Sequence, residues 1–356
     1  MNTYKKVAVL MVAAVVSTGV PHGAAAGAGD GSTVSCRDHR VPVALAPGEP
    51  ARFNVATTLC VPANVKRPIV HLLLSGGSYG RVYWDFPYRP QTYSYVKALT
   101  GAGFATLNID RIGIGRSSYP PAEDVTIESN AYVAHQLVTA LRRGRIGGVR
   151  FARVISVGHS VGVGIAWVEA ARYADVDGVI VTDGMHTPAS GLGLAVASFY
   201  AAQLDARFAS RDLPPGYLTT LPGRRGALFY YEPGADPTVI ARDEATKETA
   251  TAAELGTLAL SADSSVSRSI KVPVLSVVGE YDRNFCDIPC SDPSSPAPAQ
   301  ESQYYAPEAC LEIFVVPQAG HNINLHRSAP VWYRTAIEWS ERRVGRSAKA
   351  KQQRCT

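Results

Sequence analysis

The chain alternates short apolar segments with stretches of helical periodicity, and this alternation constrains the fold more than any other feature. Helical patterns cover residues 92–100, 126–143, 161–174 and 329–343. Such alternation is typical of parallel strands that are connected by helices packed on the faces of one sheet. We therefore predict an α/β fold with a mostly parallel, eight-stranded sheet flanked by helices, whose strands are VPVAL, ARFNVATTLCV, IVHLLLS, FATLNID, RVISVG, GVIVTD, VPVLSVVG and LEIFVVP.

Residues 185–268 interrupt the alternation. They contain the apolar segment GLGLAVASFYAAQL, a stretch rich in proline and glycine, and a helical pattern rich in threonine, alanine and glutamate. Because strands resume at Val272, we interpret this region as an insertion after the sixth strand and not as an independent domain. The predicted core then comprises residues 29–184 and 269–356.

The N-terminus has the pattern of an export signal. Two lysines precede an apolar stretch at residues 7–16, and the small-residue tract GAAAGAGDG follows. The tract contains A-x-A sites, so we predict a signal peptide over residues 1–28 that is cleaved near residues 26–28, and a secreted protein. The apolar stretch is shorter than the roughly 18 residues that a membrane-spanning helix needs, so no stable membrane anchor is expected.

The charge balance excludes one class of partner. The 35 basic and 30 acidic residues give a formal net charge of +5, and cleavage of the signal peptide would remove two of the lysines. A weakly charged chain of this size indicates no nucleic-acid partner. We interpret the basic run RRVGRSAKAKQQR near the C-terminus as a solvated tail.

Six cysteines follow the predicted signal peptide, at positions 36, 60, 286, 290, 310 and 355. An even number in an exported chain favours disulfides, and no C-x-x-C or H-x-x-x-H spacing supports a metal site. The sequence leaves all fifteen possible pairings open. Our first expectation is Cys36 with Cys60, since both flank the first strands, and we further hypothesise a small ring between Cys286 and Cys290.

Two segments match the pattern G-x-S-x-G, one around Ser78 and one around Ser160. This pattern places a nucleophilic serine on a sharp turn between a strand and a helix. Ser160 fits that context, because RVISVG is a short β-branched strand and the helical pattern VGVGIAWVEAARYA begins directly after it. Ser78 is followed by prolines and by no helical pattern until about residue 92. Ser160 is therefore the predicted nucleophile, and a buried turn serine is the alternative.

The segment SGGSYG, at residues 75–80, has a different predicted role. Attack on a carbonyl group produces a tetrahedral oxyanion, which needs two preorganised N–H donors. One donor usually comes from the residue after the nucleophile, here Val161, and the second comes from the loop after the third strand. In that loop we expect Gly77 or Ser78 to donate. The alternative is a glycine-rich turn that only connects a strand to a helix.

Taken together, these motifs resemble the α/β-hydrolase fold superfamily, in the form of a secreted serine esterase or a lipase-like member. The resemblance rests on GHSVG, the LLLSGG loop, NIDRIGIGRSS after the fourth strand, and VVGEYD and PQAGHNIN near the C-terminal end. This ordered set spans most of the mature chain. The sequence departs from the family pattern at Arg111 and Ile112 and at Ser75, where many members have histidine.

The resemblance implies the order serine, acid, histidine along the chain. A serine needs an adjacent base that is oriented by a third group. His321, after the last strand, is the predicted base, with His326 as the spare candidate, and His159 is expected to pack inside the nucleophile turn. Asp282, after the seventh strand, is the predicted acid, and Asp183, after the sixth strand, is the alternative acid.

The resemblance further implies a secreted serine carboxylic-ester hydrolase that forms an acyl-enzyme and needs no cofactor or metal. Residues 185–268 fall where this fold carries a cap, so we expect a helical cap or lid there. Tyr79, Phe199 and Tyr200 are predicted to contact a small-molecule or lipid-like ester. The alternatives are the same triad acting on a lactone, thioester or peptide or in acyl transfer, and a non-catalytic binding protein. No pattern in the sequence specifies an oligomeric state.

Overall fold

The computed structural model describes residues 34–63 and 68–345, so the predicted signal peptide lies outside the described residues. The strands of the described chain are β1 Val34–Val43, β2 Phe53–Pro62, β3 Ile69–Leu74, β4 Ala105–Ile109, β5 Arg153–His159, β6 Gly178–Thr182, β7 Phe199–Ala201, β8 Tyr217–Thr220, β9 Ala250–Thr251, β10 Val274–Gly279 and β11 Glu312–Val316. The helices are α1 Pro90–Tyr93, α2 Tyr95–Gly101, α3 Ile127–Arg142, α4 Val161–Tyr173, α5 Ser190–Ala197, α6 Arg225–Phe229, α7 Pro237–Thr246, α8 Ala252–Ser261, α9 Ser264–Arg268, α10 Pro296–Glu301 and α11 Ala329–Trp339.

Eight of the strands form one sheet in the order β1-β2-β4-β3-β5-β6-β10-β11. β2 runs antiparallel to both of its neighbours, and the other neighbouring pairs are parallel. The predicted eight-stranded, mostly parallel sheet flanked by helices is therefore confirmed. The carboxyl ends of β3, β5, β6, β10 and β11 meet at one edge, where ligands bind in open α/β sheets.

The first strand begins earlier than the sequence pattern predicted. We expected it at residues 41–45, whereas β1 covers Val34–Val43 and pairs along its whole length with β2. Most of its side chains are exposed, so it lacks the apolar pattern on which the prediction depended. Backbone pairing and the disulfide between the directly opposed Cys36 and Cys60 hold this edge strand in place.

The central strands are buried on both faces of the sheet. In β3, Val70 belongs to the apolar cluster that includes α3 and α4, and Leu73 belongs to the cluster that includes α2 and α11. Successive side chains of a strand point to opposite faces, so a strand covered on both sides is apolar throughout. This is why the central strands appear in the sequence as continuous apolar runs.

The region between β6 and β10 has a mixed structure. Besides helices it contains a second, antiparallel sheet in the order β7-β8-β9. Its last two helices, α8 and α9, pack against α4, and Leu255, Leu258 and Val266 join the core cluster on that face. Residues 252–268 therefore extend the helical layer of the core, and residues 185–251 remain as the candidate cap.

Two disulfides join described residues, and both match the expected pairs: Cys36–Cys60 and Cys286–Cys290. Cys310 is also disulfide-bonded, and Cys355 lies outside the described residues. Disulfides fit a protein that folds in an oxidising compartment. Across residues 34–63 and 68–345, no helix has the length and apolarity that crossing a bilayer requires.

Candidate active site

Ser160 lies on a sharp turn between β5 and α4. Its φ of 51° is in the left-handed region, which residues other than glycine rarely adopt, and its side chain is half-buried. The turn is tight: a Cβ on Gly158 would collide with the carbonyl group of Gly162, and a Cβ on Gly162 would collide with the carbonyl group of Leu74. The two glycines therefore allow the serine hydroxyl to project at the end of the sheet.

A hydrogen-bonded chain of three side chains begins at Ser160. Its Oγ lies 2.9 Å from Nε2 of His321, and Nδ1 of His321 lies 3.0 Å from Oδ2 of Asp282. His321 is 3% exposed and Asp282 is 0% exposed, so the chain opens to solvent at its serine end. With the ring proton on Nδ1, His321 donates to the carboxylate and its Nε2 accepts from the serine hydroxyl. The fold thus brings together three side chains that are distant in sequence.

The loop after β10 fixes the orientation of Asp282. Its Oδ1 accepts the N–H of Asn284 at 3.0 Å, and its backbone carbonyl accepts the N–H of Cys286 at 2.8 Å. The disulfide between Cys286 and Cys290 closes the same loop. The carboxylate is consequently held toward His321 by covalent and hydrogen bonds within one short segment.

A second carboxyl group, that of Asp183, lies at the end of β6. Its Oδ1 accepts the N–H of Gly279 at 3.0 Å, and its Oδ2 lies 3.5 Å from Nδ1 of His159. Burial raises the pKa of Asp183 well above its ordinary value, and the nearby charge of Asp282 raises it further. Asp183 thus lies against His159, whereas Asp282 is hydrogen-bonded to His321. Within the described residues, no group of three or more His, Cys, Asp or Glu side chains is arranged to hold a metal ion.

The other two histidines near the site are engaged elsewhere. His326 is buried, its Nε2 accepts two backbone N–H groups, and burial lowers its pKa to about 4. The ring of His159 stacks on Tyr83 with 4.2 Å between the ring centroids, and burial lowers the pKa of His159 well below its ordinary value. Both rings are held by these contacts, and His321 is the histidine whose Nε2 lies within hydrogen-bond distance of Ser160 Oγ.

The loop after β3 places a glycine beside the turn that carries Ser160. Gly76 to Tyr79 form a turn in which the Tyr79 N–H donates to the Gly76 carbonyl at 3.2 Å. A Cβ built on Gly77 would lie 3.1 Å from a methyl group of Val161, the first residue of α4. The Val161 N–H belongs to the first helical turn, whose N–H groups have no acceptor within the helix. Gly77 and Val161 therefore present neighbouring backbone groups next to Ser160.

Ser78, the other predicted loop donor, uses its N–H elsewhere. That N–H donates to the Thr249 carbonyl at 3.2 Å, and the Ser78 carbonyl accepts the Glu248 N–H at 2.9 Å. No hydrogen bond joins the Gly77 N–H to another residue in the described part of the chain. Of the two predicted loop donors, Gly77 is the one whose N–H is available to a bound molecule.

A sequence model of the Alpha/beta hydrolase family matches residues 72–335, which is more than half of the chain. The chain belongs to the alpha/beta hydrolase family. No curated protein sequence matches it.

Solved structures that share this fold include proteins described as an esterase, an enol-lactonase and a meta-cleavage product hydrolase. A thermophilic esterase from Thermogutta terrifontis is 18% identical, with a TM-score of 0.57 over 85% of this chain and 98% of that one. An enol-lactonase from Burkholderia xenovorans is 19% identical, with a TM-score of 0.54 over 81% and 96%. A meta-cleavage product hydrolase from Pseudomonas fluorescens is 14% identical, with a TM-score of 0.55 over 82% and 95%. At these identities the likeness shows the fold alone.

The three residues predicted to contact substrate have different surroundings in this hydrolase. Phe199 is half-buried, and the end of its ring lies near Gly77. Tyr200 points to the opposite face of β7, where its hydroxyl donates to Asp205 at 2.7 Å. Tyr79 is 4% exposed, and its hydroxyl donates to Asn322 at 2.8 Å. Phe199 thus borders the site, whereas the two tyrosine hydroxyls are bonded inside the protein.

Two further aromatic rings approach His321. The ring centroid of Phe229, at the end of α6, lies 5.7 Å from that of His321, and the corresponding distance for Phe285 is 6.2 Å. Phe229 is one of several aromatic residues in the predicted cap. The sequence did not predict Phe285 near the site, because Phe285 lies in an irregular loop without a periodic pattern. Its position three residues after Asp282 is the one signal that could have indicated it.

The motif after the fourth strand anchors the loop that carries Gly77. Arg111 is 1% exposed and donates to the carbonyl groups of Ser75 at 2.8 Å and Gly76 at 3.2 Å. Its guanidinium also pairs with the buried carboxylate of Glu254. Arg111, at which the sequence departs from the family pattern, therefore fixes the start of the turn 76–79.

Proposed function

We propose that this alpha/beta hydrolase is a serine hydrolase that cleaves carboxylic esters. The observation that carries the proposal is the 2.9 Å separation between Ser160 Oγ and His321 Nε2, continued by the bond from His321 to Asp282. A serine hydroxyl is a weak nucleophile by itself, and an adjacent base that removes its proton during attack makes it reactive. Asp282 would hold the imidazole in the required tautomer and stabilise the imidazolium that forms.

The reaction has two half-reactions. Ser160 Oγ bonds to the ester carbonyl carbon while its proton passes to His321 Nε2, and the N–H groups of Val161 and Gly77 stabilise the oxyanion. The intermediate then collapses, the alcohol leaves with the proton from His321, and the acyl group stays on Ser160. Water attacks the acyl carbon with His321 again as the base, the bond from that carbon to Ser160 Oγ breaks, His321 returns the proton to Oγ, and the carboxylic acid is released.

We propose that the substrate carries an apolar group beside the ester. Rings of Phe199, Phe229 and Phe285 approach the site from three different elements, and apolar rings favour an apolar acyl or alcohol group. Leu194 and Val196 of α5 are 68% and 45% exposed, which adds apolar surface to the region before Phe199. Residues 185–251 would form the cap over this group.

Covalent labelling tests the proposed nucleophile. A fluorophosphonate reacts with an activated serine, so we expect wild-type protein to carry the label on the peptide that contains Ser160 and Ser160→Ala protein to remain unlabelled. Ser267→Ala is the matched control, because Ser267 is a fully buried serine in α9. It should be labelled as the wild type is. A wild-type protein that does not react would contradict the proposal.

A substrate panel then tests the reaction class. The panel contains p-nitrophenyl esters of increasing acyl length, a lactone, a thioester and an aminoacyl amide. We expect the highest kcat/KM on an ester, with longer acyl chains favoured because of the phenylalanine rings. A higher kcat/KM on the lactone, thioester or amide would keep the serine mechanism and replace the proposed substrate class.

We also propose that the protein is exported and loses residues 1–28. The disulfides support export, because disulfides form and persist in oxidising compartments. The test is production of the full chain in a secreting bacterial host, followed by N-terminal analysis of the protein in the medium. We expect cleavage near residues 26–28, so that the mature chain begins directly after that site. Full-length protein that stays in the cytoplasm with Met1 intact would contradict this proposal.

A further inference from the structure

A buried ion pair lies behind the turn that carries Gly77. Arg225 of α6 is 0% exposed and makes two parallel hydrogen bonds to Asp243 of α7, from Nε to Oδ2 at 2.9 Å and from Nη2 to Oδ1 at 3.0 Å. The hydroxyl of Tyr230 also donates to Asp243 at 2.9 Å. A buried ion pair rarely stabilises a fold more than apolar side chains of the same size would. Because stability alone does not explain the pair, its other contacts are the guide to its role.

A third nitrogen of Arg225 reaches the turn. Its Nη1 donates to Ser78 Oγ at 2.8 Å and also to Thr220 Oγ1 at 3.3 Å. Its guanidinium carbon also lies 4.0 Å from the ring centroid of Tyr79, over the face of the ring. One arginine thus contacts both of the residues that follow Gly77.

The same helix is linked to the loop of His321. The Tyr79 hydroxyl donates to Oδ1 of Asn322 at 2.8 Å, and the Asn322 N–H donates to the carbonyl of Phe229 at 3.2 Å. Phe229 is the last residue of α6, which begins with Arg225. The helix that carries the arginine therefore holds both the turn and the residue next to His321.

We propose that the Arg225–Asp243 ion pair is a positioning unit that orders the turn 76–79 and so keeps the Gly77 N–H in place for the oxyanion. This inference rests on the proposed ester-hydrolase function. Ser78 has a φ of 62°, a conformation that persists only where surrounding contacts hold it. In the described part of the chain no hydrogen bond joins Arg225 to Ser160, so the pair acts through the turn.

Three variants remove the link in different ways. Ser78→Ala deletes the acceptor and leaves the ion pair intact. The double variant Arg225→Met/Asp243→Leu replaces both charges with apolar side chains, which leaves no unpaired buried charge. Arg225→Lys keeps the positive charge but lacks the planar fork that binds Asp243 and Ser78 together. Ser267→Ala, a buried substitution outside the turn, is the control for a loss of stability.

Turnover separates positioning from stability. Hydrolysis of p-nitrophenyl acetate is measured per active site titrated with fluorophosphonate, so that unfolded protein does not lower the result. We expect kcat to fall about 10- to 100-fold in the double variant, the loss expected when an oxyanion donor is displaced, with KM little changed. Arg225→Lys should resemble the double variant, Ser78→Ala should lose less, and Ser267→Ala should keep the wild-type kcat. If the double variant does not fold, Ser78→Ala decides the outcome.

Amide hydrogen exchange of residues 75–80 tests the order of the turn without reference to turnover. We expect this peptide to exchange faster in Ser78→Ala and in the double variant than in Ser267→Ala. The inference would be overturned if the double variant and Ser78→Ala kept the wild-type kcat per titrated site and if residues 75–80 exchanged in them no faster than in Ser267→Ala. A wild-type protein that neither labels nor hydrolyses esters would overturn the proposed function instead, and the exchange comparison would still decide whether the ion pair orders the turn.

Discussion

Within residues 34–63 and 68–345, two hydrogen-bonded series of a serine, a histidine and a carboxylate occur, one at Ser160 and one in the packing between α9 and α10. In the second series, Nδ1 of His186 lies 2.8 Å from Oε1 of Glu301, and Nε2 lies 3.0 Å from Oγ of Ser267. Judged by these distances alone, the two series are nearly alike. Their surroundings, however, differ in the exposure of the serine and in the contacts of its hydroxyl.

Ser267 is 0% exposed, and its hydroxyl donates to the Tyr304 carbonyl at 2.6 Å, so its proton is directed away from the histidine. The ring of His186 is stacked between Trp167 and Tyr304, at 4.4 Å and 4.5 Å. Ser160 is half-buried instead, at the N-terminus of a helix. A nucleophile therefore needs access for a carbonyl group and donors for the developing charge, besides a base.

The largest expected effect is the loss of turnover in Ser160→Ala. Removal of the proposed nucleophile should lower kcat for p-nitrophenyl acetate by about 10⁶-fold, since the acyl-enzyme is proposed to form on Ser160. Steady-state kinetics on purified protein measure this. Near-normal turnover in Ser160→Ala would contradict the proposed catalytic difference between Ser160 and Ser267.

Asp282→Asn should give the next largest effect, a fall of about 10⁴-fold in kcat, because an amide favours the wrong tautomer of His321. The matched control is Asp183→Asn at the neighbouring strand end, which should keep most of its kcat. Both variants are compared with the same ester at one pH. A greater loss in Asp183→Asn than in Asp282→Asn would assign the acid role to Asp183.

Ser267→Ala should affect stability and leave catalysis intact. The substitution leaves Nε2 of His186 and the Tyr304 carbonyl without this partner, which should lower the free energy of unfolding by about 1–3 kcal/mol. Urea unfolding followed by tryptophan fluorescence measures the change, and ester turnover per titrated site provides the comparison. A fall in kcat with unchanged stability would show that the second series contributes to the reaction.

Stability should also depend on pH through Asp183, and Asp183→Asn should remove that dependence. Burial raises the pKa of Asp183, so the folded protein keeps a proton that the unfolded chain releases above about pH 4. Wild-type stability should therefore fall as pH rises above that value, by up to about 1.4 kcal/mol per pH unit, until pH exceeds the pKa of the folded state. The advantage of Asp183→Asn over the wild type should grow with pH in urea titrations from pH 4 to 7. A difference in the free energy of unfolding between the two proteins that stays constant from pH 4 to 7 would contradict this prediction.

The strands of the sheet and the sharp turn at Ser160 were predictable because each depends on local sequence. Strands with helices on both faces are apolar throughout, and the turn at Ser160 needs glycine at 158 and 162 because their Cβ atoms would collide with backbone atoms. Strand β1 was placed too late, because its exposed side chains follow no apolar pattern. The small sheet within residues 185–251 was not predicted either, since its strands are two to four residues long.

Sequence alone determined the order of the strands along the chain, the serine on the tight turn, and the short set of acids and histidines that follow strands. Only the tertiary structure decided that Asp282 meets His321, that the Ser78 N–H is bound by Thr249, and that Arg225 reaches the turn. The physical reason is that strand and turn propensities act between near neighbours. Hydrogen bonds and ion pairs join groups whose distance is fixed only when the whole sheet is assembled.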